Sequence, residues 1–384
     1  MKNIKMLFLV FAIGLLLCGC QETPEKVKQN MKEYGDNPQV ESSEITYCSV
    51  AELKKSKMPE ITGSNLSFPK EVDFSHVEDV EILHLSIAKN FLEDKNVEKY
   101  AKLFGVDKKK LKKEGEETPW GKMLSYDSEK EQDYLNISEN GGVARMAGVL
   151  YDGGSNVVEK TYNRDKEDIS KVKVTLADGT VNLAKLCRDT EQWLEDNMQI
   201  DGIRYKISDV YVRKSEKNKD APKTLSMLAE YDHKGIRFNY HMKAESVEDE
   251  NFETKAITTF HGIQLGLADS GIPSLFSRNI DVTIDSAEKV EQVVDFESAV
   301  NMVKEKMSGF GVLEISEVLP LYSLNLMDNS EKPGARIEAR PGYAFLVKEK
   351  QEDNNNVILK MNECKHWFFV DMATGELVTD LEIK

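Results

Sequence analysis

Val77-Glu-Asp-Val80-Glu-Ile-Leu83-His84-Leu-Ser86-Ile87-Ala88-Lys89-Asn-Phe91-Leu92 is the stretch on which the fold class turns. Val77, Val80, Leu83, Ile87, Ala88, Phe91 and Leu92, with His84 among them, recur at intervals of three and four, which predicts an amphipathic helix. A shorter helical segment follows through Val97, Tyr100, Ala101 and Phe104, with Gly105 placed to end it. Beyond it, Tyr134–Ile137 and Val143–Met146 flank Asn140-Gly141, a pair that tolerates the positive φ angles of a tight hairpin. A helix followed by an antiparallel meander is therefore the expected first module, residues 47–162.

The same order repeats downstream. After the charged connector 163–168, Val172, Val174 and Leu176 alternate towards a turn at Asp178-Gly179. Leu183, Leu186, Cys187, Trp193, Leu194 and Met198 mark a helix of about four turns. Tyr205–Val212, Ser226–Tyr231 and Ile236–Met242 read as meandering strands. Gly266, Gly271 and Pro273 mark 262–277 as a joint. A last unit, 290–384, opens with Asp295 capping a helix through Phe296, Ala299, Val300, Val303 and Met307, with Gly309 as its stop. Strands are expected at Leu313–Leu326, Ile337–Val347, Val357–Met361 and Trp367–Val370, then the turn Asp371–Glu376. The predicted class is α+β, two modules of helix plus antiparallel meander, the second spanning 163–384. No βαβ series with glycine-rich first turns is present, which counts against a doubly wound solute-binding lobe.

The chain starts Met1-Lys-Asn-Ile-Lys5, continues in the apolar run Met6–Leu17 and reaches Leu17-Cys18-Gly19-Cys20. Twelve apolar residues as a helix span about 18 Å, short of a hydrocarbon core of roughly 30 Å. Leu17-x-Gly19-Cys20 resembles the bacterial lipobox. The resemblance implies a signal peptide over 1–19, cleavage before Cys20, recognition through Leu17 and Gly19, and diacylglycerol on the Cys20 sulfur. The alternative is an ordinary signal peptide with an incidental cysteine. Residues 20–46 are polar, carry Pro24 and Pro38, and read as a tether reaching about 28 Å. The expected location is the outer face of a cell membrane, lipid-anchored.

Charge sets the partners. Fifty-one bases against 67 acids give −16, and loss of Lys2 and Lys5 with the signal peptide makes the chain more negative still. Such a field repels phosphate backbones, so nucleic acid is not an expected partner. Cys48, Cys187 and Cys364 form no disulfide framework and no CxxC pair; Cys187 reads as a buried thiol, and a Cys48–Cys364 bridge is the one pairing worth testing.

The search for chemistry finds no catalytic, metal or cofactor residues. His76, His84, His233, His241, His261 and His366 are too dispersed for a metal signature. His84 reads as a core histidine on a helix, and His233 and His241 as surface residues on neighbouring strands. Asn163-Arg-Asp165-Lys-Glu167 alternates oxygens like a calcium loop, but Asp168 and Val174 stand where an EF-hand needs Gly and Glu. Ser86-Ile-Ala-Lys89 on a helix matches the nucleophile motif of penicillin-recognising enzymes, with Ser138-Glu-Asn140 similar to their second motif. The Lys-Thr-Gly strand such sites need is absent. Lys108–Lys110 with Lys112 and Lys113 reads as a solvated helix end, the sharper alternative being a patch for anionic lipid or wall polymer. Trp120 alone among the tryptophans has loop context.

Asp295-Phe-Glu-Ser-Ala-Val300 with His366-Trp-Phe-Phe-Val-Asp371-x-x-Thr-Gly-Glu376 resembles PepSY-type modules and the extracytoplasmic regulators of cell-wall-sensing histidine kinases. The whole chain is similar to uncharacterised Firmicutes lipoproteins. These likenesses imply a non-catalytic, regulatory or sensory lipoprotein that binds an envelope polymer or a membrane protein, with a groove or sheet edge in 290–384. The alternative is a small-ligand binder using a cleft between the modules near 262–277.

Overall fold

The computed structural model describes residues 45–61, 66–107, 112–118, 121–128, 133–147, 156–216, 218, 220–238, 262–307, 313–328, 332–347 and 367–379. The signal peptide, Leu17, Gly19, Cys20, nearly all of the tether, Trp120, Lys108–Lys110, His241, His261, Gly309, Val357–Met361, Cys364 and His366 lie outside them.

The first part of the chain forms β1 (Tyr47–Cys48), α1 (Val50–Leu53), β2 (Leu66–Ser67), β3 (Glu81–Ile87) and α2 (Asp94–Leu103). The meander β4 (Lys112–Thr118), β5 (Gly121–Ser128), β6 (Asp133–Ser138), β7 (Val143–Met146) follows. Then come β8 (Asn156–Asn163), β9 (Lys173–Leu176), β10 (Gly179–Asn182), α3 (Leu183–Asn197), β11 (Arg204–Ser215), β12 (Thr224–His233) and β13 (Ile236–Phe238). The remainder is β14 (Ile263–Leu267), β15 (Leu275–Arg278), β16 (Val282–Lys289), β17 (Val293–Val294), α4 (Phe296–Lys306), β18 (Leu313–Leu326), β19 (Arg336–Val347), β20 (Trp367–Asp371) and β21 (Leu377–Thr379).

The expectation of two helix-plus-meander modules is overturned. The described residues are 50% strand and 16% helix, and seventeen strands join in one large mixed sheet. Pairings cross the line drawn between 162 and 163, which itself falls inside β8. β7 lies against β15, β8 against β11, and β3 against both β16 and β19. The residues read as a joint, 262–277, are β14 and β15 in the body of the sheet between β12 and β7.

Three strands, β12, β18 and β19, serve as branch points, and β18 pairs with β19, β13 and β2. β12 pairs with β11 along one edge and divides the other between β14 and β13. β19 pairs with β18 along one edge and divides the other between β3 and β20. Parallel pairing of β13 with β18 connects the two halves. Followed partner by partner, the pairings of the described residues branch without returning to their starting strand, so the sheet is open and branched. One apolar core runs from Cys48 to Met372 and takes in the inner faces of α3 and α4. A smaller cluster of Leu321, Ala344, Trp367 and Phe369 sits on the opposite face of β18–β20.

The central correction is β3. Leu83, Leu85 and Ile87 are buried while Ile82, His84 and Ser86 are not, a period of two. Leu85 has no place on the helix face marked by Leu83 and Ile87, and it decides against that helix. Pairing on both edges, with β16 and β19, supplies backbone partners that outweigh the local spacing. The helices beginning near Val97, Leu183 and Phe296 do form, and Asn182 and Asp295 cap the last two through their side chains.

Candidate functional site

α3 ends at Asn197, and the chain reverses through Gln199-Ile200-Asp201-Gly202-Ile203. The Ile203 amide donates to the Ile200 carbonyl at 3.0 Å. Burial of both isoleucines pins this turn to the core, and Gly202 supplies its positive φ of 80°. Facing it, β12 and β13 are joined through Lys234 and Gly235, with φ of 52° and 85°. Positive φ at both central residues is the mark of a type I′ hairpin. Gly235 is required there twice over, because a Cβ would lie 2.0 Å from the His76 carbonyl oxygen. Lys234 is a non-glycine residue in the left-handed region, a conformation that persists only when its surroundings hold it.

What holds it is Glu81 at the start of β3. Lys234 Nζ donates to Glu81 Oε1 at 2.6 Å, and His233 Nε2 lies 2.9 Å from Glu81 Oε2. The other ring nitrogen, Nδ1, lies 2.6 Å from the Gly202 carbonyl oxygen. One imidazole thus connects β3, the end of β12 and the turn after α3. Its side chain is only 7% exposed, and that of Glu81 13%. Burial works against the charge on Glu81, but hydrogen bonds from His233 and Lys234 outweigh it and hold the carboxyl below its ordinary range. Asp232 accepts from the Gly235 amide at 3.1 Å and from Arg204 at 3.2 Å, while Arg204 also donates to Glu78 at 2.7 Å.

These elements line a cleft of about 450 Å³ whose walls are Glu78, Glu195, Gln199, Ile200, Gly202, Ile203, Arg204, His233 and Lys234. Arg204, Lys234 and Glu78 are already paired within the protein. Glu195, near the end of α3, and Gln199, in the turn after it, make no side-chain hydrogen bond or ion pair with a described residue, and they are the polar groups the cleft offers. His233 offers little as an acid or base, since both of its nitrogens face protein oxygens. Among the described residues no group of three or more His, Cys, Asp or Glu is placed to hold a metal.

The residues singled out in the sequence are scattered. His84 is on the outward side of β3, with Nε2 2.9 Å from Glu288 Oε1, and is not a core histidine. Ser86 lies on the same face of β3 and donates to Asp285 at 3.0 Å, while Lys89 passes beside Gly334 beyond the strand's end. A serine–lysine nucleophile pair needs one helical turn between the two, and an extended backbone does not bring them together. Asp165 of the calcium-like run pairs with Arg237 at 2.6 Å and Lys206 at 2.9 Å. His233, read as a surface residue, is buried. The signal available was Lys234-Gly235 between apolar strands, which places His233 at a hairpin end.

The class these pairings define is a sheet-dominated fold with four short helices among the described residues. An uncharacterised protein from Eubacterium rectale ATCC 33656, known from a crystal structure, is similar, with a TM-score of 0.55 at 14% identity over 86% of this chain and 97% of that one. At that identity the likeness is one of fold alone. No family model and no curated protein matches the chain.

Proposed function

We propose that this is a lipid-anchored protein on the outer face of a cell membrane that acts by binding, in a regulatory or sensory role, with the cleft beside α3 as its contact site. The address rests on the two lysines, the short apolar run and Leu17-Cys18-Gly19-Cys20. The observation that carries the binding reading is the division of labour in the cleft. Its histidine and cations are spent on internal contacts, while Glu195 and Gln199 line the cleft without a side-chain hydrogen bond or ion pair to a described residue. The expected contact is a membrane protein or an envelope polymer presenting a hydrogen-bond donor or cation to Glu195.

The test uses the full chain in its native cell, with a photo-crosslinking amino acid at position 199. A discrete adduct that disappears with Glu195→Lys supports the reading. The absence of any adduct, with the protein folded and present in the membrane, would sink it. Cys20→Ser should move the protein from the membrane fraction to the soluble one and remove fatty-acid labelling; continued membrane retention would overturn the anchor.

A second reading is favoured by the cleft volume, about 450 Å³, which lies in the range of small-molecule sites. A saturable rise in melting temperature with one compound class, absent in Glu195→Lys, would select a small ligand over a macromolecule.

A further inference from the structure

Among the described residues β16 has one partner, β3, and its other edge meets no strand. The alternation of an antiparallel ladder decides which backbone groups that edge presents. Ile87 spends its amide on the Ala335 carbonyl and its carbonyl on the Gly334 amide, both on the β19 side, while Ala88 donates to Asp281 on the β16 side. Ser86, His84 and Ile82 therefore turn their backbone groups to β16, where they meet Thr283, Ser286 and Glu288. Val282, Ile284, Ala287 and Lys289 direct theirs outward. The far half of this edge is open, since every residue from Ser286 to Lys289 is exposed. Such a row of unspent N–H and C=O groups is a template for another strand.

We propose that this edge receives an extended segment of a partner protein as an added strand, with its backbone on Ala287 and Lys289 and a lysine or arginine reaching into the cleft. Position singles out β16 from the other edge strands. Ala287 and Lys289 share a face with the residues opposite them, Leu83 and Glu81, and Glu81 is the carboxylate that holds His233 and Lys234 in the cleft wall. Ile284 is on that face as well, and a Cβ at Gly202 would lie 3.3 Å from its Cδ1. A strand laid along β16 would turn alternate side chains to this face, towards the space lined by Glu195 and Gln199. Charge sets what those side chains carry. Arg204 and Lys234 are already paired, so the carboxylate of Glu195 is left for a cation. On the opposite face Glu288 contacts His84 and Asp285 accepts from Ser86, so acids flank the edge on both sides. The bulge at Asp285 confines regular pairing to Ser286 and beyond. This names the partner chemistry of the cleft and rests on the binding reading above.

The test is amide hydrogen exchange at Ala287 and Lys289 in the detergent-solubilised full chain, with a blocked peptide of alternating Lys and Val, as long as β16, as the probe. Both amides should exchange freely in the protein alone and slow at least tenfold at saturating peptide. A Glu-Val peptide, and a Lys-Val peptide methylated on its backbone nitrogens, should leave them fast, and Glu195→Lys should weaken the effect of the Lys-Val peptide. Ala287→Pro removes an outward N–H while sparing the bonds of Ser286 and Glu288 to β3, and should abolish the slowing at Lys289; the methylated peptide carries the same test if that variant does not fold. Amides already slow in the free protein, no response to the Lys-Val peptide, or equal slowing by either control peptide would overturn the added strand. The two readings fail separately. A missing crosslink at position 199 in the cell refutes the cleft as a native contact, whereas unresponsive amides refute the strand and leave the cleft to other contacts.

Discussion

The Arg278 guanidinium donates to the Tyr100 hydroxyl at 3.0 Å, joining β15 to α2 inside the core. Arg278 is 3% exposed, and it also contacts the Gly141 carbonyl at 3.1 Å and Asp281 at 3.3 Å. The faces of Phe91 and Tyr100 lie 5.5 and 5.8 Å from its centre. A guanidinium so enclosed is tolerable only because of these partners. Removing it strands Asp281 and the hairpin carbonyl. Arg278→Met should cost about 3 kcal/mol in urea denaturation, and Tyr100→Phe about 1 kcal/mol. The double variant should lose less than the two losses combined, since the groups share one contact. An Arg278→Met protein within about 0.5 kcal/mol of native stability would contradict this account.

Gly141 takes a φ of 88° in the β6–β7 turn, and a Cβ there would lie 2.2 Å from the Cβ of Asp281. Strain and overlap act together. Gly141→Ala should destabilise the chain by roughly 1–3 kcal/mol, while Gly105→Ala, with the same sign of φ but open space around it, should cost less. The comparison of their denaturation midpoints separates backbone strain from collision.

Glu230 is buried beside Arg237 at 2.9 Å, and Asp165 takes the other side of the same guanidinium at 2.6 Å. Burial pushes the Glu230 carboxyl up to about 7, against the pull of Arg237 and with a further push from Asp209 and Asp165. The folded state therefore holds a proton that the unfolded chain releases near 4.5. Stability from this group should fall as pH rises from about 4.5 to 7 and level off above, by an amount on the order of 3 kcal/mol. Urea midpoints at pH 5 and 7.5 should differ in the native protein and converge in Glu230→Gln. Equal midpoints in the native protein would refute the assignment.

Burial pushes the Cys48 and Cys187 thiols up to about 11, and both are free in the structure. Thiolate is the reacting species. Peptide-resolved alkylation at pH 8 should therefore label both positions about a hundredfold more slowly in the native protein than in denaturant. Rapid native labelling of Cys187 would mean that the inner face of α3 opens readily.

Local signals proved legible wherever one side of an element faces the core and its neighbours are close in sequence. Asn140-Gly141 marked the β6–β7 hairpin, where Tyr134 pairs with Met146 and Ile137 with Val143. Asp295 marked the start of α4, and the apolar spacing from Leu183 to Met198 marked α3. β4 escaped because it is exposed from Lys113 to Glu117 and carries no alternation. β16 escaped likewise: from Ser286 to Lys289 it is exposed on both sides. The site escaped for a different reason. His233, Glu81 and Gly202 come from positions far apart in the chain, and no spacing rule connects them.

The sequence by itself determined the acidic character of the chain, the lysine-flanked apolar run before Cys20, and those turns and caps that a few adjacent residues specify through their own backbone preferences. Only the tertiary structure decided whether Val77–Leu92 would be helix or strand, that the two halves share one sheet, and that a histidine would be closed between Glu81 and Gly202. The physical reason is common to all three. Each depends on backbone and side-chain partners supplied from distant parts of the chain, and those partners exist only once β3 lies between β16 and β19.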